Sequence, residues 1–473
     1  MRLPRLCVSA ISGGGGKTLL SLGLARVLRR MGLVVKPFKK GPDYIDAAWL
    51  SLAAGEPATN LDPWFLPPDR LRALFAHAMQ PQGQIGLIEG NRGIFDGLDA
   101  AGSCSTAELA RWLSCPVLIS LDCTKMTRTA AALVQGLCRF EPGVALRGLV
   151  LNQIGSPRHE TALRRALEAY TDVPVLGALP RLAANPLPER HMGLASFGEV
   201  LSERAEATLD GLADFVGGHV NVEAVLAAAQ AAPDLPAERP FWGTEAAPPC
   251  RGNGTKTAAA KAPLIGYVRD AALWFYYREN LESLSRAGAK LLRLSLFDDR
   301  PWPEVDGLYL GGGFPEDVAA RLCASPHLSR LRDMARRGMP IYAECGGFML
   351  LARGIERDGR LWEMSGVFPV IASCRAKPQG LGYVSARVAR SNPWFAEGAL
   401  LRGHEFHYSR CEWGDNPPEA ALRLERGTGM GTIAGEACDG LVFNNVLALY
   451  THIFAPAVPS WAHNFTRMAL GKE

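Results

Sequence analysis

The feature that most constrains the fold is a run of four glycines followed by lysine and threonine, within CVSAISGGGGKTLLSLGLARVLRRMG. An apolar segment precedes the glycines, and apolar residues at helical spacing follow them. In a strand–glycine loop–helix arrangement, backbone N–H groups and the helix N-terminus converge on a phosphate. We therefore predict a nucleotide-binding loop in which Lys17 reaches the terminal phosphates and Thr18 binds Mg²⁺. The predicted loop residues are Gly13, Gly14, Gly15 and Gly16.

The loop departs from the general pattern G-x-x-x-x-G-K-[ST], because its first position holds Ile11. Partition-type ATPases carry a signature lysine five residues before the invariant one, and here that position is Ser12. This difference disfavours membrane-switch and DNA-partition ATPases. Loops without that lysine occur in the dethiobiotin synthetase-like branch of the same fold, whose members use ATP to phosphorylate a carboxylate. The loop alone does not separate these cases.

The chain of 473 residues, 48% of them hydrophobic, is long enough for two or three domains. Short, nearly continuous apolar segments alternate with helical patterns, which predicts a parallel sheet covered by helices on both faces. The stretch 229–262 is rich in Ala, Pro and Gly, and we interpret it as a linker. The fold class is therefore α/β, with one domain over residues 1–228 and a second over 263–473.

Charge and cysteine content narrow the class of protein. A formal net charge of +4 is small for this length, which disfavours nucleic acid as a partner. The 11 cysteines include no CxxC pair, so neither a disulfide framework nor a zinc knuckle is expected. We see no signal peptide and no apolar stretch of the roughly twenty residues needed to cross a bilayer. These features predict a cytoplasmic protein without a membrane partner.

The stretch KPFKKGPDYIDAAW follows the second predicted strand and combines cations with carboxylates. Lys39 and Lys40 would suit an acidic substrate, and Asp43 and Asp46 could bind a metal at the carboxyl end of a strand. The alternative is a solvated turn built around Gly41-Pro42-Asp43. Spacing alone does not decide between them.

Two further carboxylates occur in LIEGNRGIFDG. Glu89 ends an apolar strand, where a carboxylate can bind Mg²⁺ directly or through water, and Asp96 follows in a glycine-bounded loop. An acidic residue at a strand end is often only a helix N-cap. The two residues are candidates for metal and substrate handling.

A candidate nucleophile lies in PIYAECGGFMLLA, which predicts a strand, a sharp turn at Cys345 and a helix. Such an elbow exposes the side chain near a helix N-terminus, where the thiolate is favoured. LYLGGGFPE runs from a strand into glycines whose N–H groups, at Gly312 and Gly313, could stabilise an oxyanion. The candidate base is His452 in LALYTHIFAP, for which a buried structural histidine is the alternative.

Taken in order, these motifs resemble the cobyrinate a,c-diamide synthase family, and the resemblance covers essentially the whole chain. It rests on the glycine loop, GPDYID, NLDPWFLP, EGNRGIFDG and the C-terminal motifs. The chain departs from many relatives at Ala10 and Gly13 in the loop, and at Ala47-Ala48-Trp49, where many continue with proline and histidine. The second departure leaves the identity of the tetrapyrrole open.

The resemblance implies a dethiobiotin synthetase-like P-loop domain followed by a class I glutamine amidotransferase-like domain. It implies ATP and Mg²⁺ as cofactors, an acyl phosphate intermediate, and cobyrinic acid and L-glutamine as substrates. Homodimerisation is a further expectation. By matching motif positions, Thr18, Glu89 and Asp43 become candidate metal ligands. The candidates for substrate and acyl-phosphate handling are Lys39, Lys40, Asp46 and Asp96.

In the amidotransferase domain, the resemblance places the catalytic histidine at His452. Many class I relatives carry a glutamate two residues later, but here that position is Phe454. Either another carboxylate orients the imidazole or a Cys–His dyad suffices. GHEFHYSR also matches this branch; His404 and Glu405 alternate along a strand, which makes a shared metal site an unfavoured interpretation.

The leading hypothesis is a glutamine-dependent ATP ligase that amidates the a and c acetate groups of a corrinoid acid. The same chemistry could act on hydrogenobyrinate or nickel-sirohydrochlorin. Cobyrate synthase, which amidates four further carboxylates, is the next alternative. A hypothesis of another class is a P-loop regulatory ATPase with a non-catalytic amidotransferase domain; loss of the nucleophile would have supported it, but Cys345 and His452 are both present.

Overall fold

The computed structural model describes residues 1–79, 84–184, 186–187, 199–243, 262–414 and 418–471. These residues form two compact units, the first extending to residue 243 and the second beginning at residue 262. We predicted a linker over 229–262, whereas residues up to 243 belong to the first unit: Leu235 and Phe241 are buried, and Glu238 pairs with Arg72. The remaining predicted linker residues, 244–261, lie outside the described part.

Seven strands form the sheet of the first unit. They are β1 (Arg5–Ala10), β2 (Val34–Lys40), β3 (Thr59–Leu61), β4 (Gln84–Glu89), β5 (Val117–Asp122), β6 (Leu146–Ile154) and β7 (Val175–Pro180). Their order is β3-β2-β4-β1-β5-β6-β7, and the neighbouring strands run parallel. Every residue of β1 is buried, as expected for a central strand covered on both faces. The predicted parallel α/β sheet is confirmed.

In the part of the first unit that the structure describes, eight helices accompany this sheet. They are α1 (Lys17–Arg30), α2 (Tyr44–Ala54), α3 (Pro68–Ala78), α4 (Thr106–Trp112), α5 (Thr129–Phe140), α6 (Pro157–Tyr170), α7 (Glu199–His219) and α8 (Val222–Gln230). Helix α1 begins directly after the glycine loop and packs closely on α7, since a Cβ added at Gly23 would lie 2.3 Å from Val216 Cγ2. Gly32, with φ of 82°, follows the last turn of α1, where the left-handed backbone favours glycine.

The register of the sheet gathers polar residues at its carboxyl edge. β2 pairs with β4 in a register that places Lys39 beside Glu89. β1 pairs with β4 on its other side and places Val8 beside Glu89. The glycine loop leaves β1 at this same edge. Parallel pairing therefore brings together residues that are 50 and more positions apart in the chain.

Fifteen strands lie in the described residues of the second unit. They are β8 (Leu264–Val268), β9 (Lys290–Leu294), β10 (Gly307–Leu310), β11 (Ile341–Glu344), β12 (Ala352–Arg357), β13 (Arg360–Glu363), β14 (Phe368–Cys374), β15 (Gly380–Val388), β16 (Leu400–His407), β17 (Ser409–Glu412), β18 (Ala420–Arg426), β19 (Gly431–Ile433), β20 (Glu436–Phe443), β21 (Val446–Leu449) and β22 (His452–Ile453). The larger sheet has the order β22-β16-β15-β18-β20-β21-β11-β10-β8-β9, with β19 paired to β20, and a smaller sheet has the order β13-β12-β14-β17.

The part of the larger sheet formed by β21, β11, β10, β8 and β9 is parallel, and its other pairings are antiparallel. The helices of this unit are α9 (Arg278–Arg286), α10 (Ala319–Cys323), α11 (His327–Arg336), α12 (Gly346–Leu351) and α13 (Ser460–Ala469). Apolar side chains from both faces of the sheet form the core, including Trp394 and Trp461, which are completely buried. The unit is thus a second α/β domain, as predicted.

Among the described helices, none combines the length and the apolar character that a membrane crossing needs. All cysteines in the described part of the chain are free thiols.

Candidate functional site

The glycine loop adopts a backbone that only glycine accommodates readily. Gly14 and Gly16 have φ of 75° and 85°, and a Cβ at Gly16 would lie 2.2 Å from the side-chain nitrogen of Asn152. Ser120 donates its hydroxyl to the carbonyl oxygen of Gly15 at 2.7 Å and so fixes the loop to β5. Lys17 Nζ donates to the carbonyl oxygen of Ser12 at 3.1 Å. The loop is therefore held in one shape before any nucleotide arrives.

A cavity of about 300 Å³ adjoins the loop. Lys17 and Thr18 line one part of it, and burial, together with Lys39, lowers the pKa of Lys17. The remaining lining includes Asn152, Gln153, Pro180, Leu182, Leu187 and Phe215. An apolar wall with a few amides suits a nucleobase beside a phosphate loop.

Asn152 and Gln153 are residues that the sequence analysis missed. Both lie near the carboxyl end of β6, and Gln153 has φ of 63°, in the left-handed region. Polar residues at the carboxyl end of a predicted parallel strand were the available signal, because ligands of open α/β sheets bind at this edge.

Thr18, Lys39 and Glu89 converge on one carboxylate oxygen. The Thr18 hydroxyl donates to Glu89 Oε1 at 2.9 Å, and Lys39 Nζ donates to the same oxygen at 2.8 Å. Lys39 also forms an ion pair with Asp46. Burial opposes the charge on Lys39, but Asp46 and Glu89 outweigh it and raise the pKa of this amine. The structure thus brings four sequence-predicted residues together: Lys39 and Glu89 are buried, and Thr18 and Asp46 are half-buried.

The cluster fits a Mg²⁺ ion. Glu89 is completely buried, and burial raises its pKa to about 7 against the opposing effect of Lys39. Its second oxygen, Oε2, makes no hydrogen bond to the described residues. No group of three or more acidic, histidine or cysteine side chains in the described ranges could hold a metal by itself. Magnesium in nucleotide sites is commonly held by one or two protein ligands plus phosphates, so Thr18 and Glu89 suffice.

The other acidic candidates have structural contacts of their own. Asp43 caps α2 by accepting from Asp46 N at 2.6 Å, and burial followed by Asp46 raises the pKa of Asp43 to about 6. Asp96 accepts from Gly93 N at 2.8 Å and helps to keep the nearby Lys17 charged. Asp43 and Asp96 therefore border the cluster and also stabilise its loops.

Lys40 is separated from Lys39 by the alternation of side chains along β2. Lys40 is buried, and its charge lowers the pKa of the Cys104 thiol, against burial and Asp62, which both raise it. The structure therefore brings Lys39, but not Lys40, to the Glu89 cluster.

In the second unit, the predicted nucleophile elbow is present. β11 ends at Glu344, Cys345 has φ of 48° and ψ of −103°, and α12 begins at Gly346. A Cβ at Gly346 would lie 2.9 Å from Gly313 N, and one at Gly347 would lie 2.3 Å from the carbonyl oxygen of Leu310. Both turn glycines are thus needed for the close approach of the backbone.

The electrostatics of Cys345 differ from our expectation of a favoured thiolate. The residue is only 2% exposed, and burial, followed by the charge of Glu316, raises the pKa of its thiol. The N–H of Gly346 opposes this shift without reversing it. Because burial dominates, forming the thiolate here requires a base that accepts the proton.

The Gly311–Gly313 turn lies against His452. A Cβ at Gly312 would lie 2.3 Å from Cε1 of the imidazole, so a side chain there would displace the ring. The Gly312 N–H already donates to the carbonyl oxygen of Phe275 at 3.3 Å. This bond competes with the predicted oxyanion role of Gly312. Gly313 stays a candidate, and the N–H of Gly346, which follows the nucleophile, is another that we had not considered.

The first five residues of the motif GHEFHYSR lie on β16, which pairs with β22 so that His404 faces His452, and the last two lie on β17. The two rings stack with centroids 4.9 Å apart, and burial together with His452 lowers the pKa of His404 well below its usual value. Glu405 accepts from Thr428 N and Gly429 N, both at 2.7 Å. The sequence did not reveal that this motif forms the wall beside His452.

A carboxylate, that of Glu344, lies beside the Nδ1 atom of His452. Nδ1 of His452 is 3.4 Å from Glu344 Oε2, and both side chains are completely buried. The sequence left open whether a carboxylate orients His452 and which one it would be. Glu344 directly precedes Cys345 in the chain, whereas the H-x-E pattern concerns only the residue two positions after the histidine.

Family models match most of each unit. Residues 6–194 match the CobQ/CobB/MinD/ParA nucleotide binding domain, and residues 264–458 match the CobB/CobQ-like glutamine amidotransferase domain.

Whole-chain relatives agree as well. The chain is 38% identical to a cobyrinate a,c-diamide synthase of Magnetococcus marinus over 98% of this chain and 96% of the relative. It is 38% identical to one of Dehalococcoides mccartyi over 100% and 99%. It is 41% identical to one of Syntrophotalea carbinolica over 87% of each chain. The chain therefore belongs to the cobyrinate a,c-diamide synthase family.

Proposed function

We propose that the chain uses ATP and glutamine to convert the a and c acetate carboxylates of cobyrinic acid into amides. The observation that carries the proposal is the presence, within one chain, of a Lys39–Glu89 cluster at a phosphate loop and of an elbow at Cys345 that packs on the Gly311–Gly313 turn, which lies against His452. The first arrangement suits phosphoryl transfer to a carboxylate, and the second suits release of ammonia from glutamine. The cobyrinate a,c-diamide synthases among the relatives favour this acceptor.

At the first site, a substrate carboxylate oxygen attacks the γ-phosphorus of ATP, and ADP leaves as the acyl phosphate forms. Lys17 and Lys39 neutralise charge on the transferring group. Thr18 and Glu89 would hold Mg²⁺, which when bound offsets the charge of the phosphates. Ammonia then attacks the acyl carbon, and inorganic phosphate leaves.

At the second site, His452 takes the proton of the Cys345 thiol, and the thiolate attacks the carboxamide carbon of glutamine. The N–H groups of Gly313 and Gly346 would hold the resulting oxyanion. His452 returns the proton to the leaving nitrogen, ammonia departs, and water hydrolyses the γ-glutamyl thioester to glutamate. This order of steps agrees with the raised pKa of the buried thiol, because the transfer of its proton to His452 accompanies the attack on glutamine.

The test uses the purified full chain with ATP, Mg²⁺, amide-¹⁵N glutamine and one tetrapyrrole at a time, with product counted by mass. We expect two OH-to-NH₂ exchanges on cobyrinic acid, both carrying ¹⁵N, and none without ATP. Exchange only on hydrogenobyrinate or nickel-sirohydrochlorin would change the acceptor. Four exchanges on the diamide would indicate cobyrate synthase, and no exchange on any acceptor would favour the regulatory ATPase.

The setting of the protein belongs to the proposal as well. The free thiols of the described residues support a reducing, cytoplasmic location. We also propose a homodimer without nucleic-acid or membrane partners. Sedimentation of the purified chain at several concentrations would measure the oligomer directly.

A further inference from the structure

A completely buried carboxylate, Glu344, lies one residue before the nucleophile and has three neighbours. Oε1 accepts from Ile453 N at 3.1 Å, and Oε2 accepts from the Tyr309 hydroxyl at 3.1 Å and faces His452 Nδ1 at 3.4 Å. Burying a carboxylate costs free energy unless hydrogen bonds satisfy its oxygens. The contacts of Glu344 supply these hydrogen bonds. The His452 contact is the one that can matter to catalysis.

The sheet explains how a residue beside the nucleophile reaches the base. β11 and β21 are parallel neighbours with Glu344 opposite Leu449, and the chain runs on from Leu449 to His452. The Glu344 side chain therefore meets the imidazole from the neighbouring strand. No glutamate at the Phe454 position is needed to supply a carboxylate.

The carboxylate is itself held in place. Asn280 Nδ2 donates to the Tyr309 hydroxyl at 3.2 Å and to the carbonyl oxygen of Ile453 at 2.9 Å, while Asn280 Oδ1 accepts from Ala455 N at 2.7 Å. This network ties the segment that carries His452 to the residue that holds Glu344. Such a support fixes the direction of the carboxylate toward Nδ1.

We propose that Glu344 is the positioning residue of the Cys345–His452 site, holding the His452 ring with Nδ1 protonated so that Nε2 can accept the thiol proton. The inference rests on the proposed glutaminase function. A hydrogen bond from Nδ1–H fixes the tautomer and stabilises the imidazolium that forms during attack. The 3.4 Å separation is long for a hydrogen bond, as is common before substrate binds.

The decisive variant is Glu344→Gln in the full chain. Glutamine keeps the size and an acceptor for Ile453 N but removes the charge. We expect kcat for glutamine hydrolysis to fall at least about 100-fold, since disturbing the orienting carboxylate of a triad costs up to about 10⁴-fold. KM for glutamine should change less than about threefold, and ammonia-dependent amidation should be retained. A kcat within threefold of the parent overturns the proposal.

Matched variants separate positioning from folding. Tyr309→Phe removes one support of the same oxygen but leaves the charge of Glu344, so kcat should fall about tenfold, less than in Glu344→Gln, at unchanged KM; a loss equal to that of Glu344→Gln would show that the charge is not what matters and overturn the proposal. Near-ultraviolet circular dichroism, sensitive to the buried Trp394 and Trp461, reports whether the second unit is folded. If Glu344→Gln does not fold, Glu344→Asp gives the same test, with kcat expected to fall about tenfold at unchanged KM and parental kcat overturning the proposal.

Cys345→Ala, measured in parallel, distinguishes the two levels of inference. If this variant still uses glutamine, the proposed glutaminase site fails, and the role of Glu344 fails with it. If Cys345→Ala loses glutamine use while Glu344→Gln keeps its kcat, only the positioning role is overturned.

Discussion

The two candidate sites solve the problem of buried charge in opposite ways. In the first unit, the Lys39 ammonium forms an ion pair with each of two carboxylates, Asp46 and Glu89. In the second unit, burial raises the pKa of the Cys345 thiol and lowers that of the His404 ring, which favours the neutral form of both. The first site thus contains paired charges at rest, whereas the reaction proposed for the second site would have to create a charge.

We expect the largest effect from a variant that disables the second site and leaves the first intact. Cys345→Ala removes the sulfur that forms the thioester in the proposed mechanism, so glutamine-dependent amidation should fall at least about 1,000-fold. Amidation with ammonia at high pH should continue, because the proposal places formation of the acyl phosphate in the first unit. Product mass measured with each nitrogen source checks this. Cys323→Ala, at an exposed cysteine of the same unit, is the control; full glutamine use by Cys345→Ala would contradict the assignment.

The reciprocal change breaks the first site. Lys17→Ala removes a cation beside the phosphate loop and should lower ATP-dependent amidation about 100-fold with either nitrogen source. Basal glutamine hydrolysis should remain, because Cys345 is untouched. Assays of ADP and glutamate from the same reaction separate the two effects. Arg147→Ala, an exposed cation on β6, serves as the control, and unchanged amidation by Lys17→Ala would reject the phosphate-loop assignment.

The smallest effect concerns how the charge cluster responds to pH. Since burial raises the pKa of Glu89 to about 7, the folded protein binds a proton here that the unfolded chain has lost above pH about 4.5. The stabilisation is therefore present at low pH and is lost as pH rises through about 7. Without nucleotide or metal, the thermal midpoint of the parent should fall by roughly 5–10 °C more between pH 5 and 7.5 than that of Glu89→Gln. Parallel pH curves would contradict the raised pKa.

Much of the first site could be predicted from local sequence. The glycine loop needs φ angles that only glycine adopts readily, so the order of residues alone reveals Gly14, Gly16 and Lys17. Glu89 was recognisable at the end of an apolar strand. Lys39 and Lys40 could not be told apart, because only the pairing of β2 with β4 decides which lysine meets Glu89.

The second site was less accessible from sequence. The elbow at Cys345 follows from a strand, a turn and two glycines, all local. The contacts of His452 with Glu344 and His404 come from neighbouring strands and span 108 residues in the case of Glu344. The engaged N–H of Gly312 likewise depends on a distant carbonyl oxygen, that of Phe275.

The sequence by itself determined the two α/β units, the glycine loop, the elbow at Cys345 and the family of the chain, because each depends on residues close together in the chain. Tertiary structure alone decided which side chains donate to the same oxygen of Glu89 and which carboxylate faces His452. It also decided that burial raises the pKa of the Cys345 thiol. Those properties depend on strand register and on exclusion from water. Both arise only when distant segments pack together.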